Sequence, residues 1–342
     1  MRISIILFCL VLFQSCNQKV GSHNFSQVKI EPLFTDSLSI RAIEIMDGSL
    51  AFAANKGTYG LMDLKTNAIK TNSKIYDSII PEFRAVAHTT SDFFMLSVGS
   101  PALLFKTGDN GQMQLVYQET GDGVFYDAMT FWNDMEGIAI GDSVGGCLSI
   151  IITRDGGHNW KKIPCDQLPE GRDKEGAFAA SNTNVVTKGN KAWIVTTSAT
   201  VYYTKDKGNH WEIFNTPIVN SKATQGIYSI DFYDEDLGFV IGGDFTDPEN
   251  KDKNKALTTD GGKTWHLVAN GLEPEYKSCV QFVPNSGGED LIALGFTGIS
   301  YSKDKGKTWT SLSEESFYTL RFLNDSVAYA AGKNKISKLT FK

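Results

Sequence analysis

The sequence predicts an all-β fold, a seven-bladed β-propeller whose ring is closed by the N-terminal strand completing the last blade. Three observations carry this reading. An eight-residue turn recurs four times, the apolar residues alternate as in strands without any long 3.6-residue period, and the chain divides into seven units.

The recurring turn reads "TRDGGHNW" from Thr153, "TKDKGNHW" from Thr204, "TTDGGKTW" from Thr258 and "SKDKGKTW" from Ser302, at spacings of 51, 54 and 44 residues. Around the third copy, Gly226 to Val268 shows a whole unit. "IYSIDFYDEDL" is a strand and turn, "GFVIGGD" a second strand, "NKALTT" a third and "WHLVA" a fourth. Four antiparallel strands in about 40–50 residues is the size of one blade.

First strands are placed at "RAIEI" (Arg41), "RAVAH" (Arg84), "DAMTF" (Asp127), "AFAAS" (Ala177), "YSIDF" (Tyr228), "SCVQF" (Ser278) and "YTLRF" (Tyr318). That makes seven units. The seventh is one strand short at Lys342, and "QVKIEPLF" (Gln27 to Phe34) stands ready to supply it. Pairing the two termini leaves no unprotected edge at the junction. The division is therefore residues 1–16 as a signal peptide, 17–27 as a tether and 28–342 as the propeller.

In this register the repeated turn joins the third and fourth strands on the outer side of a blade. Asp155, Asp206, Asp260 and Asp304 and the preceding hydroxyls are placed to accept turn amides, and the glycines allow positive φ. Trp160, Trp211, Trp265 and Trp309 are placed to pack inward. Burying an indole contributes about 4–6 kcal/mol of gross transfer free energy. "TGDNGQMQ" from Thr107 is a copy without the Trp, and the first unit, around "LMDLKTN", keeps only the spacing. The pattern resembles the Asp-box (BNR) signature, Ser/Thr-x-Asp-x-Gly-x-Thr-Trp, which implies a structural turn remote from ligands.

Composition agrees with many short strands, with 32 Gly against 9 Pro and 41% apolar residues. A net charge of −6, with Lys and Arg evenly spread, argues against nucleic acid. Arg2 precedes "ISIILFCLVLF", too short to span a bilayer and of the length of a signal-peptide core. "LFQSC" then resembles a bacterial lipoprotein signal, which implies lipidation at Cys16, stable membrane anchoring and a cell-envelope location. An ordinary secretory signal is the alternative. The tether "NQKVGSHNFS" carries no acidic cluster, so the expectation is a periplasm-facing protein, with surface display as the other placement. Cys147 and Cys165 flank the Thr153 turn almost symmetrically; a disulfide and two free thiols both fit. Cys279 reads as a buried thiol.

The longer unit "GIAIGDSVGGCLSIIITRDGGHNW" (Gly137 to Trp160), with "GFVIGGD" and "ALTTDGGKTW", resembles the photosystem II stability/assembly-factor-like propellers. That resemblance implies a seven-bladed ring and an assembly role in binding membrane proteins. It does not imply photosynthesis, because turn motifs encode the fold rather than the partner.

Chemistry is sparse. A sialidase-like reading needs three arginines around a carboxylate and an Arg-Ile-Pro segment, yet the mature chain has five arginines and only "FRAV" at Phe83. "GDSVG" from Gly141 matches a nucleophile elbow in letters but links two strands. No metal cluster is expected, since the cysteines lack close pairs, and "DFTDPENKDKNK" (Asp244 to Lys255) lacks the spacing of a calcium loop. No dinucleotide motif follows a strand into a helix, so no cofactor is expected.

Surface remains. Near one channel mouth the reading places Arg41, Arg84, Asp127, Tyr228 and Tyr318, with Asp142 and Asp244 on neighbouring loops, as binding residues. The expected function is a non-enzymatic envelope lipoprotein that binds or assembles a protein partner. The alternative is an Asp-box carbohydrate-active protein, a glycosidase or glycan-binding lectin.

Overall fold

The computed structural model describes residues 23–108, 111–172 and 174–342. Cys16, and with it the signal peptide, lies outside the described residues. Seven antiparallel sheets follow one another along the chain, six of four strands in strict sequence order. Their first strands are Ala42–Met46, Phe83–His88, Tyr126–Asn133, Val185–Lys188, Gln225–Phe232, Cys279–Phe282 and Thr319–Phe322. Each first strand packs beside the next, and the seventh packs beside the first, so these strands line a central channel. The molecule is a seven-bladed propeller.

The closing blade is assembled from both ends of the chain. Val28–Ser39 pairs with Val327–Phe341, matching Val28 to Phe341 and Glu31 to Lys338. Val327–Phe341 itself turns back near Asn334, whose φ is 64°, and the Phe341 amide donates to the Ser326 carbonyl at 2.8 Å. One end of the chain thus gives the blade three strands and the other end its fourth. No sheet edge is left open at the seam.

The fourth unit departs from the expectation. Its first strand is Val185–Lys188, not the stretch from Ala177. Val185–Lys188 runs straight into its partner Lys191–Val195 through a tight turn, which "AFAAS" is too far back to do.

The four repeated turns share one hydrogen-bond scheme. The leading hydroxyl of Thr153, Thr204, Thr258 or Ser302 donates to the Asp at 2.8–2.9 Å. It accepts from the Gly amide four residues on at 2.8–3.0 Å. The Asp then accepts the amide four residues beyond itself. The hydroxyl and the carboxylate of each turn thus find their partners within the eight residues, which is why the motif repeats as a unit. The indoles reach across to the preceding blade: Trp160 meets Phe94 edge-on, and Trp309 lies 5.9 Å from Phe239. Trp211, Trp265 and Trp309 donate Nε1–H to the turn's own Gly carbonyl, whereas Trp160 Nε1 is buried without a partner.

Cys147 and Cys165 form a disulfide with Cα atoms 5.5 Å apart. It ties the start of blade 3's third strand, Cys147–Thr153, to a 3-10 turn, Cys165–Gln167, after its fourth. Cys279 is a buried free thiol.

Candidate functional site

The five residues that the sequence reading assigned to a strand, with the three that follow them, instead close the channel. From Ala177 to Asn184 the chain crosses the ring before entering blade 4, and its polar atoms bond to the other six blades. Asn182 Nδ2 donates to Val86 O of blade 2 at 2.8 Å, and the Met129 amide of blade 3 donates to Asn182 Oδ1. Ser181 Oγ donates to Ser278 O at blade 6, and Thr319 Oγ1 of blade 7 donates to Ser181 O. Thr183 Oγ1 lies 2.7 Å from Ser229 Oγ of blade 5. Arg41 of blade 1 reaches Ala180 O at 3.4 Å, and Arg321 Nη2 donates to Asn182 O. Small side chains at most of its positions let this plug thread the channel, and each of the other six blades offers it a partner at or beside its first strand.

The plug is the floor of an aromatic bowl of about 460 Å³. Phe178 stacks on Tyr228 with ring centroids 3.7 Å apart, Tyr276 meets Tyr228 edge-on at 4.8 Å, and Phe296 lies 5.1 Å from Tyr276. Phe245 and Phe296 stand exposed at the rim. Burial raises the pKa of both Tyr228 and Tyr276, so these two phenols stay protonated.

Two arginines enter the bowl from the ends of blades 1 and 2. Arg84 is spoken for by Glu82, with Nη2 2.6 Å from Oε1. Arg41 lies over the Tyr318 ring, 4.1 Å from its centroid, and has no carboxylate partner among the described residues. Burial, and then the neighbouring Arg84 charge, lower its pKa. A half-buried guanidinium with unused donors against aromatic faces suits a ligand with an anionic group on an apolar body.

Arg41, Arg84, Tyr228 and Tyr318 therefore line one recess. Asp127 does not. A bulge lies between Tyr126 and Ala128, and Asp127 is turned against the plug at Ala179, where it is 0% exposed and neither carboxyl oxygen has a hydrogen-bond partner among the described residues. The Ala179 amide faces it but falls short of bonding geometry. Burial, reinforced by Asp142, raises its pKa well above the usual carboxylate range. Asp142 belongs to a separate polar cleft with Arg172 and Glu175, and accepts the Ala177 amide at 3.1 Å. Asp244 shapes a loop: burial raises its carboxyl, but bonds from Thr246 and its neighbours outweigh that and hold it at about 2. Glu175 roots the plug, accepting from Thr196, Thr200 and Tyr202.

Phe178, Tyr276, Phe245 and Phe296 were not singled out in the sequence. Counting back from "KAWIV" to the short first strand it needs would have freed the Ala177 segment for another role. Among the described residues no group of three His, Cys, Asp or Glu could hold a metal.

A model of the Sortilin (neurotensin receptor 3) family matches residues 148–292, less than half of the chain. No curated protein matches. Among solved structures, YCF48 bound to D1 peptide is similar at 13% identity and TM-score 0.65, covering 94% of this chain and 98% of that one. YCF48 from Cyanidioschyzon merolae is similar at 14% identity and TM-score 0.65, covering 92% and 99%. The RRP9 WD40 repeats match at 11% identity and TM-score 0.65, covering 93% and 98%. The likeness is one of fold.

Proposed function

We propose that this protein is a non-enzymatic cell-envelope lipoprotein, anchored through Cys16, whose propeller holds a protein partner in the aromatic bowl. The observation that carries the reading is Arg41, a cation without a carboxylate partner among the described residues, set in aromatic walls above a closed floor. A recess of about 460 Å³ takes one or two side chains of an extended segment rather than a whole domain, and its rim of Phe245 and Phe296 can cover the flanking chain. One propeller of the same fold is described with a peptide bound, which supports this use of the scaffold.

Hydrolytic chemistry has little to work with at this site. Glycosidases place two carboxyl groups about the scissile bond, and among the described residues no acid lines the bowl. Two arginines converge there, not three.

The test places a photo-crosslinking residue at Phe245 in the full-length protein, expressed in its native envelope and solubilised in detergent. The expected result is one protein crosslinked through a defined segment, and its loss in Arg41→Ala. A glycan in the bowl, or capture that is indifferent to Arg41→Ala, would overturn the reading.

A further inference from the structure

The chain is fastened to the propeller from His23 onward, and the fastening sits on one face. The His23 amide and Nδ1 both meet Asp290 Oδ2, at 3.3 and 2.8 Å. Tyr301 Oη–H is shared between His23 O at 2.9 Å and Asp290 Oδ1 at 3.2 Å. Lys303 Nζ donates to Asn24 Oδ1. Phe25, 8% exposed, stacks on His23 and packs against Tyr301 and Phe341 in the core between blades 6 and 7. The amides of Ser26 and Gln27 then donate to the Lys342 carbonyl. Asp290 is 1% exposed, so the clamp is part of the fold rather than a surface contact.

Its position follows from blade topology. Asp290 precedes Leu291–Gly295, the second strand of blade 6, and Lys303 follows Gly298–Ser302, its third. Asp325, 3.9 Å from His23 Nε2, lies between the first two strands of blade 7. Turns from first to second and from third to fourth strands all lie on one face of an antiparallel ring. The bowl is on the other: Arg41, Tyr276 and Tyr318 precede first strands, Arg84 is the second residue of one, and Phe245 and Phe296 follow second strands.

We infer that the membrane-anchored protein presents its Asp290–Asp325 face to the lipid surface and its aromatic bowl to the aqueous side. This rests on lipidation at Cys16. Seven peptide steps separate Cys16 from His23, a reach of at most about 25 Å. To bring the bowl to the bilayer the tether would have to climb the outer wall of blade 6. Five-residue strands there rise about 17 Å, and the rim loops stand above them. That climb takes about 17 of the about 25 Å and leaves about 8 Å to clear the rim loops and reach the headgroups, whereas the clamp face needs no climb at all. The exposed Phe245 and Phe296 are thereby kept from inserting into the bilayer they would otherwise suit, and remain free for an extramembrane segment of a partner.

The test uses the full-length acylated protein in phosphatidylethanolamine–phosphatidylglycerol vesicles carrying a nitroxide on some headgroups. A bimane label is placed at Lys307→Cys on the clamp face or at Glu249→Cys beside the bowl. Among the described residues the native cysteines are held in a disulfide or buried. The expected result is several-fold stronger quenching of the Lys307→Cys label, with the difference erased when about twenty Gly-Ser residues lengthen the tether between residues 22 and 23. Equal quenching before lengthening, or stronger quenching at Glu249→Cys, would overturn the orientation. A chain of unacylated mass that stays off the vesicles would also overturn it, through the anchor, and leaves partner binding by the bowl a separate question.

Discussion

Asn182 of the plug and Val86 of blade 2 meet across the channel, Nδ2 to carbonyl at 2.8 Å, though 96 residues separate them in sequence. The same side chain accepts the Met129 amide of blade 3 at 3.0 Å, so one residue ties blade 4's approach to two other blades. Asn182 also has φ 57°, a conformation Asn tolerates better than most residues.

Asn182→Ala leaves a buried carbonyl and a buried amide unpaired. The expected cost is about 2–4 kcal/mol, and a melting temperature lower by some multiple of about 2–4 °C per kcal/mol. Thermal unfolding followed by circular dichroism checks it. An unchanged melting temperature would mean the plug is not a tie.

Gly306 sits at φ +80°, and a Cβ there would lie 2.3 Å from Phe239 Cε2 of the preceding blade. Gly271 has φ +71° with nothing within 4 Å. Gly306→Ala is expected to cost about 2–4 kcal/mol from strain and overpacking, against about 1 kcal/mol for Gly271→Ala. Denaturant midpoints of the pair separate the two effects. Equal losses would show that the Phe239 contact yields freely.

Acid should loosen the repeated turns. Burial raises the carboxyls of Asp206 and Asp260, but bonds from His210 and Thr204, and from Thr264, Thr258 and Lys263, outweigh it and hold both at about 2. These depressed values contribute stability that is present above the unfolded pKa near 4 and is lost as pH falls through about 2. Melts from pH 6 to pH 2 should steepen below pH 4, and less so in Asp260→Asn. Identical slopes in the variant would assign the acid sensitivity elsewhere.

Asp127 should run the other way. Its raised pKa means that folding takes up a proton, so its penalty grows as pH climbs above about 4. Asp127→Asn is expected to stabilise the protein by about 1–3 kcal/mol at pH 7 and to flatten stability against pH. Destabilisation at pH 7 would show that the carboxylate has a bound counter-charge.

The repeat was legible because its chemistry is local. Within eight residues Thr258, Asp260, Gly262 and Trp265 specify a complete turn, so four copies announce the blades they end. The terminal strand was legible for a related reason: a unit short by one strand and an unassigned strand at the other end imply each other. Arg41, Arg84, Tyr228 and Tyr318 could be placed together because equivalent positions of successive blades face one channel. The plug was not legible. "AFAAS" is a short apolar run of the kind a buried strand offers, and only the room left inside the ring decides that it crosses the channel.

By itself, then, the sequence determined the blade count, the turn chemistry and the closure of the ring, all of which depend on patterns within a unit or on the tally of units. Only the tertiary structure decided that the channel is closed by Ala177–Asn184, that Asp127 is sealed against it, that Arg41 has no carboxylate partner among the described residues, and that His23 and the bowl lie on opposite faces. Each of those depends on groups from distant blades meeting in three dimensions. A single blade's pattern carries no record of who stands across the ring.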